Sequence, residues 1–162
     1  PLGRVEVGTK PERVQPRVER TVGLLQDRVV REGVQPVVDQ PVDPVGDAVL
    51  VEIAHRLTDN LRGSDLVARL GGEEFLVALP DVSLTEARAT AERLCRMVQG
   101  HPVRLPDGTQ LRVTVSIGLT VGQAADMGHF DAVASLVDRA DQALLAAKAG
   151  GRNQVIFSRS AA

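Results

Sequence analysis

From residue 44 onward the apolar positions repeat with two clear periods. Leu50, Ile53, Ala54, Leu57 and Leu61 share one face of a helix over roughly 46–61. Leu66 to Leu70 reads as a strand, Gly71-Gly72 as a turn and Glu74 to Leu79 as the returning strand, which Pro80 ends. Ser83-Leu84-Thr85-Glu86 is a capping-box pattern. Leu84, Ala87, Ala91, Leu94, Cys95 and Val98 carry the next helix, and Gly100 stops it. Pro106-Asp107-Gly108 turns a short strand at 103–105 into a long one near 110–120, where Leu111, Val113, Val115, Ile117 and Leu119 alternate. Asp131 is the expected N-cap of a helix over roughly 132–149, with Val133, Leu136, Ala140, Ala143, Leu144 and Ala147 inward. Gly150-Gly151 ends that helix, and Gln154 to Phe157 reads as a last strand.

The first 43 residues are different in kind. Val, Pro, Arg and Gln dominate them; the first Ala is Ala48 and the first Ile is Ile53. Val14, Val18, Val22, Leu25 and Val29 recur at helical spacing, but Pro16 and Gly23 interrupt the face. Residues 33–38 could form a short strand, which Pro36 confines to a sheet edge. The expectation for residues 1–43 is a weakly structured or displaced first part, or an atypical helix followed by loop. Divergence, fusion to an unrelated linker, and out-of-frame translation of GC-rich DNA each fit the compositional bias. From residue 44 the order is helix, hairpin, helix, hairpin, helix, strand. This predicts an α/β (α+β) domain over 44–162 with a mostly antiparallel central sheet flanked by helices, and argues against a Rossmann fold.

Composition narrows the function. The 162 residues suffice for one domain, and 43% hydrophobic residues suffice for its core. The net charge of −2 leaves no global attraction for a polyanion. There is no Trp or Tyr and there are only three Phe, so no aromatic platform for nucleic-acid bases is expected. No apolar run approaches the 18 or more residues of a membrane span. Cys95 is the sole cysteine, which excludes an internal disulfide and fits a reducing, cytoplasmic compartment. It lies on the apolar face with Leu94 and Val98, so it reads as a buried small hydrophobe. His55, His101 and His129 show no metal-ligand spacing.

The informative stretch is Gly71-Gly72-Glu73-Glu74-Phe75. Two glycines at a hairpin tip let backbone amides approach a phosphate without an intervening Cβ. Two adjacent carboxylates there call for positive charge, which Mg²⁺ with substrate phosphates would supply. Taken alone, the same five residues fit a solvated surface hairpin equally well.

The neighbouring motifs shift that balance. Gly46-Asp47-Ala48-Val49-Leu50, Arg62-Gly63-Ser64-Asp65, Leu79-Pro80-Asp81, Val113-Thr114-Val115-Ser116-Ile117-Gly118, Ala140-Asp141-Gln142-Ala143-Leu144 and Ala147-Lys148-Ala149-Gly150-Gly151-Arg152-Asn153 follow in order. Together with GGEEF, this series over about residues 44–157 resembles the GGDEF family of diguanylate cyclases. The resemblance implies a palm-like fold and condensation of two GTP into cyclic di-GMP by two facing domains, a homodimer, with divalent cations (Mg²⁺ or Mn²⁺) at the phosphates. It implies Glu73 as a metal ligand, Glu74 as a metal ligand or aid to deprotonation of the attacking hydroxyl, and Gly71 and Gly72 as phosphate contacts. Asp47 would meet the guanine edge; Lys148 and Arg152 would neutralise the phosphates, with their i, i+4 spacing read as one face at a helix end. Arg62 and Asp65 would form the allosteric cyclic di-GMP site, with Arg93 where some members add a second arginine. Each also has a plain alternative: Asp47 near a helix start and Lys148, Arg152 and Arg62 near helix ends are favourable charges without any ligand, and Arg93 fits a solvated helix face. An upstream sensor or receiver module, common in the family, is not seen in this chain.

The family pattern fails before residue 44. Members carry a D-x-L-T-G-L-x-N-R segment that Pro1-Leu2 matches only faintly. They also carry a D-x-D-x-F-K-x-x-N-D stretch before GDxxL. Counting back from Asp47 without gaps puts the metal aspartate at Val30 and the guanine-contacting asparagine at Val38; only Asp39 matches. Asp27 or Asp43 could substitute only if the backbone differs from that count. With an apolar side chain at the first-ligand position, low or absent cyclase activity is expected, and a binding module for cyclic di-GMP or GTP is the alternative.

Overall fold

The computed structural model describes residues 19–30, 44–123 and 130–158. Nine elements follow in chain order: β1 Glu19–Val30, α1 Pro44–Asp59, β2 Leu66–Gly71, β3 Glu74–Pro80, α2 Leu84–Gly100, β4 Val103–Arg104, β5 Gln110–Gln123, α3 Phe130–Ala149 and β6 Val155–Phe157. The sheet order is β2-β3-β1-β5-β4, with β6 also on β5. Every pairing is antiparallel except β5 with β6.

The helical expectation for Val22, Leu25 and Val29 is overturned. Residues 19–30 form β1, which pairs with β3 over Arg20–Gln26 and with β5 along its whole length. A run with three valines, two leucines and a threonine satisfies its backbone groups better between two strands than in a helix interrupted by Gly23. Val14, Val18 and the segment 33–38 lie outside the described residues.

Alternation along β3 and β5 divides the sheet into two faces. Phe75, Val77, Leu79, Leu111, Val113, Val115, Ile117 and Leu119 pack with Val49, Ile53 and Leu57 of α1 and with Ala87, Ala91, Leu94 and Val98 of α2. The opposite face receives α3 through Leu136, Ala140 and Leu144, against which Leu76 and Val137 rest. That helix sits unusually close. A Cβ on Gly118 would fall 2.0 Å from the Ala140 carbonyl oxygen and 2.3 Å from the Leu144 nitrogen, so the V-T-V-S-I-G strand needs glycine where α3 crosses it.

Local signals account for the helix ends. Glu86 N–H donates to Ser83 Oγ and Ser83 N–H donates to Glu86 Oε2, which completes the expected capping box of α2. The Ser83 bonds hold the Glu86 carboxyl below its ordinary range, with Arg62 adding a smaller pull. α3 starts at Phe130, one residue before Asp131, so Asp131 occupies its first turn and is not the N-cap. Leu84 and Val133, expected inward, are partly exposed instead. Cys95 is buried as expected and its thiol donates to the Val115 carbonyl.

Candidate functional site

The β2–β3 hairpin carries the GGEEF residues at its tip. Gly71 pairs with Glu74 after a register shift that follows Arg69. Gly72 takes φ 50°, a left-handed conformation that favours glycine. The Arg69 guanidinium reaches over the turn and donates to the Gly72 carbonyl at 2.9 Å. A Cβ at Gly71 or Gly72 would meet nothing within 4 Å. The backbone of the tip is therefore open to an approaching ligand. Glu73 is exposed, while Glu74 is half-buried on the α3 side of the sheet.

The end of α3 comes to this tip. Lys148, in its last turn, places Nζ 4.0 Å from Glu74 Oε1. Arg152 does not share that helical face, because the helix ends at Ala149. Gly151, at φ 111°, starts a turn in which Arg152 and Asn153 adopt φ 65° and 47°. The i, i+4 argument for Lys148 and Arg152 fails for this reason. The turn is instead anchored to β5: Asn153 N–H donates to Ser116 Oγ at 3.1 Å, and Ile117 N–H donates to the Gln154 carbonyl. Gln154 Nε2 and the Arg152 N–H both donate to the Ala147 carbonyl, which holds the turn against the helix end. Asp47 is exposed in the first turn of α1.

The strand register shows which β1 residues lie level with the tip. Gln26 lies opposite Glu74 on one side and Ser116 on the other. The next residue along β1 is Asp27, which pairs with Val115. Val30 pairs with Arg112, beyond the end of β3. Asp27, not Val30, is thus the β1 residue that follows directly after the pair level with the tip. Val38, Asp39 and Asp43 lie outside the described residues.

Among the described residues no three His, Cys, Asp or Glu side chains gather as a metal site. The donors at the tip are the Glu73 and Glu74 carboxylates, with Asp27 at the adjoining register position. A hard divalent cation takes six or more oxygens, so this set fits one only when substrate phosphates supply the remainder.

A second cluster forms where α1 ends. Arg62 N–H donates to Asp65 Oδ2 at 2.8 Å and Asp65 N–H donates to the Arg62 carbonyl at 2.9 Å, which closes a tight turn before β2. Asp65 Oδ1 is buried and has no hydrogen-bond partner among the described residues. Arg93 reaches from α2 to the same corner, donating to the Asn60 carbonyl at 2.8 Å and to Asn60 Oδ1 at 3.3 Å. The structure brings Arg62, Asp65 and Arg93 to one corner, and Asn60, which the sequence did not single out, joins them. No helix among the described residues is long and apolar enough to cross a membrane.

Comparison with known proteins identifies relatives of this sequence and this fold. The family profile described as "Diguanylate cyclase, GGDEF domain" matches residues 39–154. Response regulator PleD of Caulobacter vibrioides is 44% identical over 113 residues, which cover 69% of this chain and 24% of PleD. The chain therefore spans about a quarter of that relative's length. The GGDEF domain of TpbB from Pseudomonas aeruginosa superposes with a TM-score of 0.73 at 33% identity, covering 88% of this chain and 78% of that one. The GGDEF domain of DgcB from Caulobacter crescentus, solved in complex with c-di-GMP, superposes with a TM-score of 0.71 at 26% identity, covering 88% of this chain and 80% of that one.

Proposed function

Because this chain belongs to the GGDEF domain family of diguanylate cyclases, we propose that it binds GTP at the Gly71–Glu74 tip and condenses two GTP into cyclic di-GMP in a pair of facing domains. The observation that carries the proposal is the 4.0 Å approach of Lys148 to Glu74, because it brings a cation and the carboxylates to one open hairpin. Each protomer would hold one nucleotide and present its 3′-hydroxyl to the α-phosphorus of the other. The Gly71 and Gly72 amides and Lys148 would orient the phosphates, with Arg152 beside them. Asp47 would accept from the guanine N–H groups. Glu74 is the residue that would take the proton from the attacking hydroxyl.

Glu73, Glu74 and Asp27 are the residues that would hold a divalent cation, Mg²⁺ or Mn²⁺. When bound, such an ion neutralises phosphate charge and polarises the reacting oxygens. In this reading Asp27, next in register after Gln26, supplies the carboxylate that the count at Val30 lacks, and turnover would depend on it. Residues 19–30, 44–123 and 130–158 would then act as one cytoplasmic nucleotide-binding unit that an upstream input module would bring together in pairs.

The test is incubation of the purified chain with GTP and Mg²⁺, followed by mass-spectrometric detection of cyclic di-GMP, with Glu74→Ala as control. Product from the wild type and none from the control supports the cyclase reading. No product from a folded chain overturns it.

The corner of Arg62, Asp65 and Arg93 favours a second reading, a cyclic di-GMP site that acts as receptor or inhibitory site. Its support is the buried, unpartnered Asp65 Oδ1, an acceptor suited to a guanine N–H, in the turn that Arg62 opens, with Arg93 held on Asn60 two residues before Arg62. Saturable binding that is lost in Arg62→Ala would identify it.

A further inference from the structure

Resting on that second reading, we infer that Asn60 is the positioning residue that presents Arg93 to the cyclic dinucleotide. Asn60 closes α1 from both directions. Its N–H donates to the Leu57 carbonyl and its Nδ2 donates to the Arg56 carbonyl at 2.9 Å. Its two oxygens face the other way and receive two arms of one guanidinium, Nη2 on the main-chain carbonyl and Nη1 on Oδ1. A long exposed arginine on α2 is thereby fixed at a point two residues from Arg62.

The physical effect is preorganisation. A free arginine loses considerable rotamer freedom when it binds a ligand, and a side chain already held in place loses less. The negative end of α1 adds to the hold, since it attracts a cation. The fork uses two of the five guanidinium N–H donors, which leaves donors for a phosphate or a guanine edge. Asn60 itself touches no ligand in this scheme. It acts through Arg93, while Asp65 Oδ1 and Arg62 supply the remaining contacts.

The experiment is titration of the whole chain with cyclic di-GMP by calorimetry, for the wild type, Asn60→Ala, Asn60→Asp, Arg93→Ala and Asn60→Ala/Arg93→Ala, each checked for folding by circular dichroism. Asn60→Ala should weaken binding about fivefold, the effect of one lost hydrogen bond. Asn60→Asp keeps the Oδ acceptor for Arg93 and loses the donor to Arg56, so it should keep most of the affinity. In the Arg93→Ala background Asn60→Ala should cost nothing further. Equal losses in Asn60→Ala and Asn60→Asp, or equal losses in both backgrounds, would reduce Asn60 to a helix cap and overturn the inference. Binding that needs Arg62 and ignores Asn60 overturns the inference alone. A wild-type chain that binds no cyclic di-GMP overturns the reading of the corner, and the role of Asn60 with it.

Discussion

Lys148 and Glu74 stand 4.0 Å apart, although one ends α3 and the other begins β3. The contact is partly exposed, so its contribution to stability is small, between about 0 and 1 kcal/mol. A pair that adds little to stability where helix end and hairpin tip meet is suited to ligand binding. Lys148→Ala should therefore weaken GTP binding about tenfold, the loss of a charge-assisted phosphate contact. The melting temperature should move by no more than a few degrees. Fluorescent-nucleotide titration and a thermal scan on the same sample check both halves.

The register of β1 separates two candidates for the metal carboxylate. Asp27→Asn should lower Mn²⁺-dependent GTP binding at least tenfold, while Val30→Asp should leave it unchanged. The reverse outcome would show that the count from Asp47, and not the ladder, gives the correct alignment. Metal titration with a bound nucleotide reads this even where turnover is slow.

Gly118 leaves no room for a side chain under α3. Gly118→Ala drives a methyl into the Ala140 carbonyl and the Leu144 backbone, and should cost about 3 kcal/mol, the upper end for overpacking. Gly122→Ala meets only the Leu136 side chain, which can turn aside, and should cost distinctly less. Urea unfolding of the two variants gives the comparison directly.

Gly23 offers the opposite case. A small apolar cavity is lined by Val77, Leu79, Thr90, Ala91, Leu94, Ile117 and Leu119. In the ladder Gly23 lies between Val77 and Leu119. Gly23→Val should fill that space and remove a flexible residue from a strand interior, a gain of about 1 kcal/mol. A lower midpoint in urea would show that the pocket tolerates no branch.

Cys95 gives a pH signature. Burial pushes its thiol up to about 11 from an ordinary value of 9.0. The folded state thus keeps a proton that the unfolded state releases. The contribution is fully present below about pH 9 and is lost as pH rises towards 11, on the order of 2 kcal/mol in total. Cys95→Ala should flatten the stability profile over that window. The native thiol should also react far more slowly with a thiol reagent at pH 8 than the unfolded chain does.

What the sequence made legible follows physical locality. Ser83 and Glu86, three residues apart, announced the start of α2 because a capping box is a local bond pair. Val113 to Leu119 announced β5 because alternation is a property of neighbours. β1 was illegible for the opposite reason: its identity rests on Phe75 and Ile117 flanking Leu25, partners that no window around residue 25 contains. Arg152 was misread because spacing alone cannot show that Gly150-Gly151 has already ended the helix. Asn60 carried no motif at all, and only the reach of Arg93 from another helix reveals it.

The central place of β1 has a cost in time. It is the first described strand along the chain, yet its two partners are residues 74–80 and 112–123. Until β5 has been made, β1 can pair on one side at most. Its other edge stays open to strands of other chains until then. Closure of the sheet is therefore a late, long-range step, of the kind that slows folding and lengthens exposure to aggregation. Chaperone dependence during synthesis should track how long that central gap stays open.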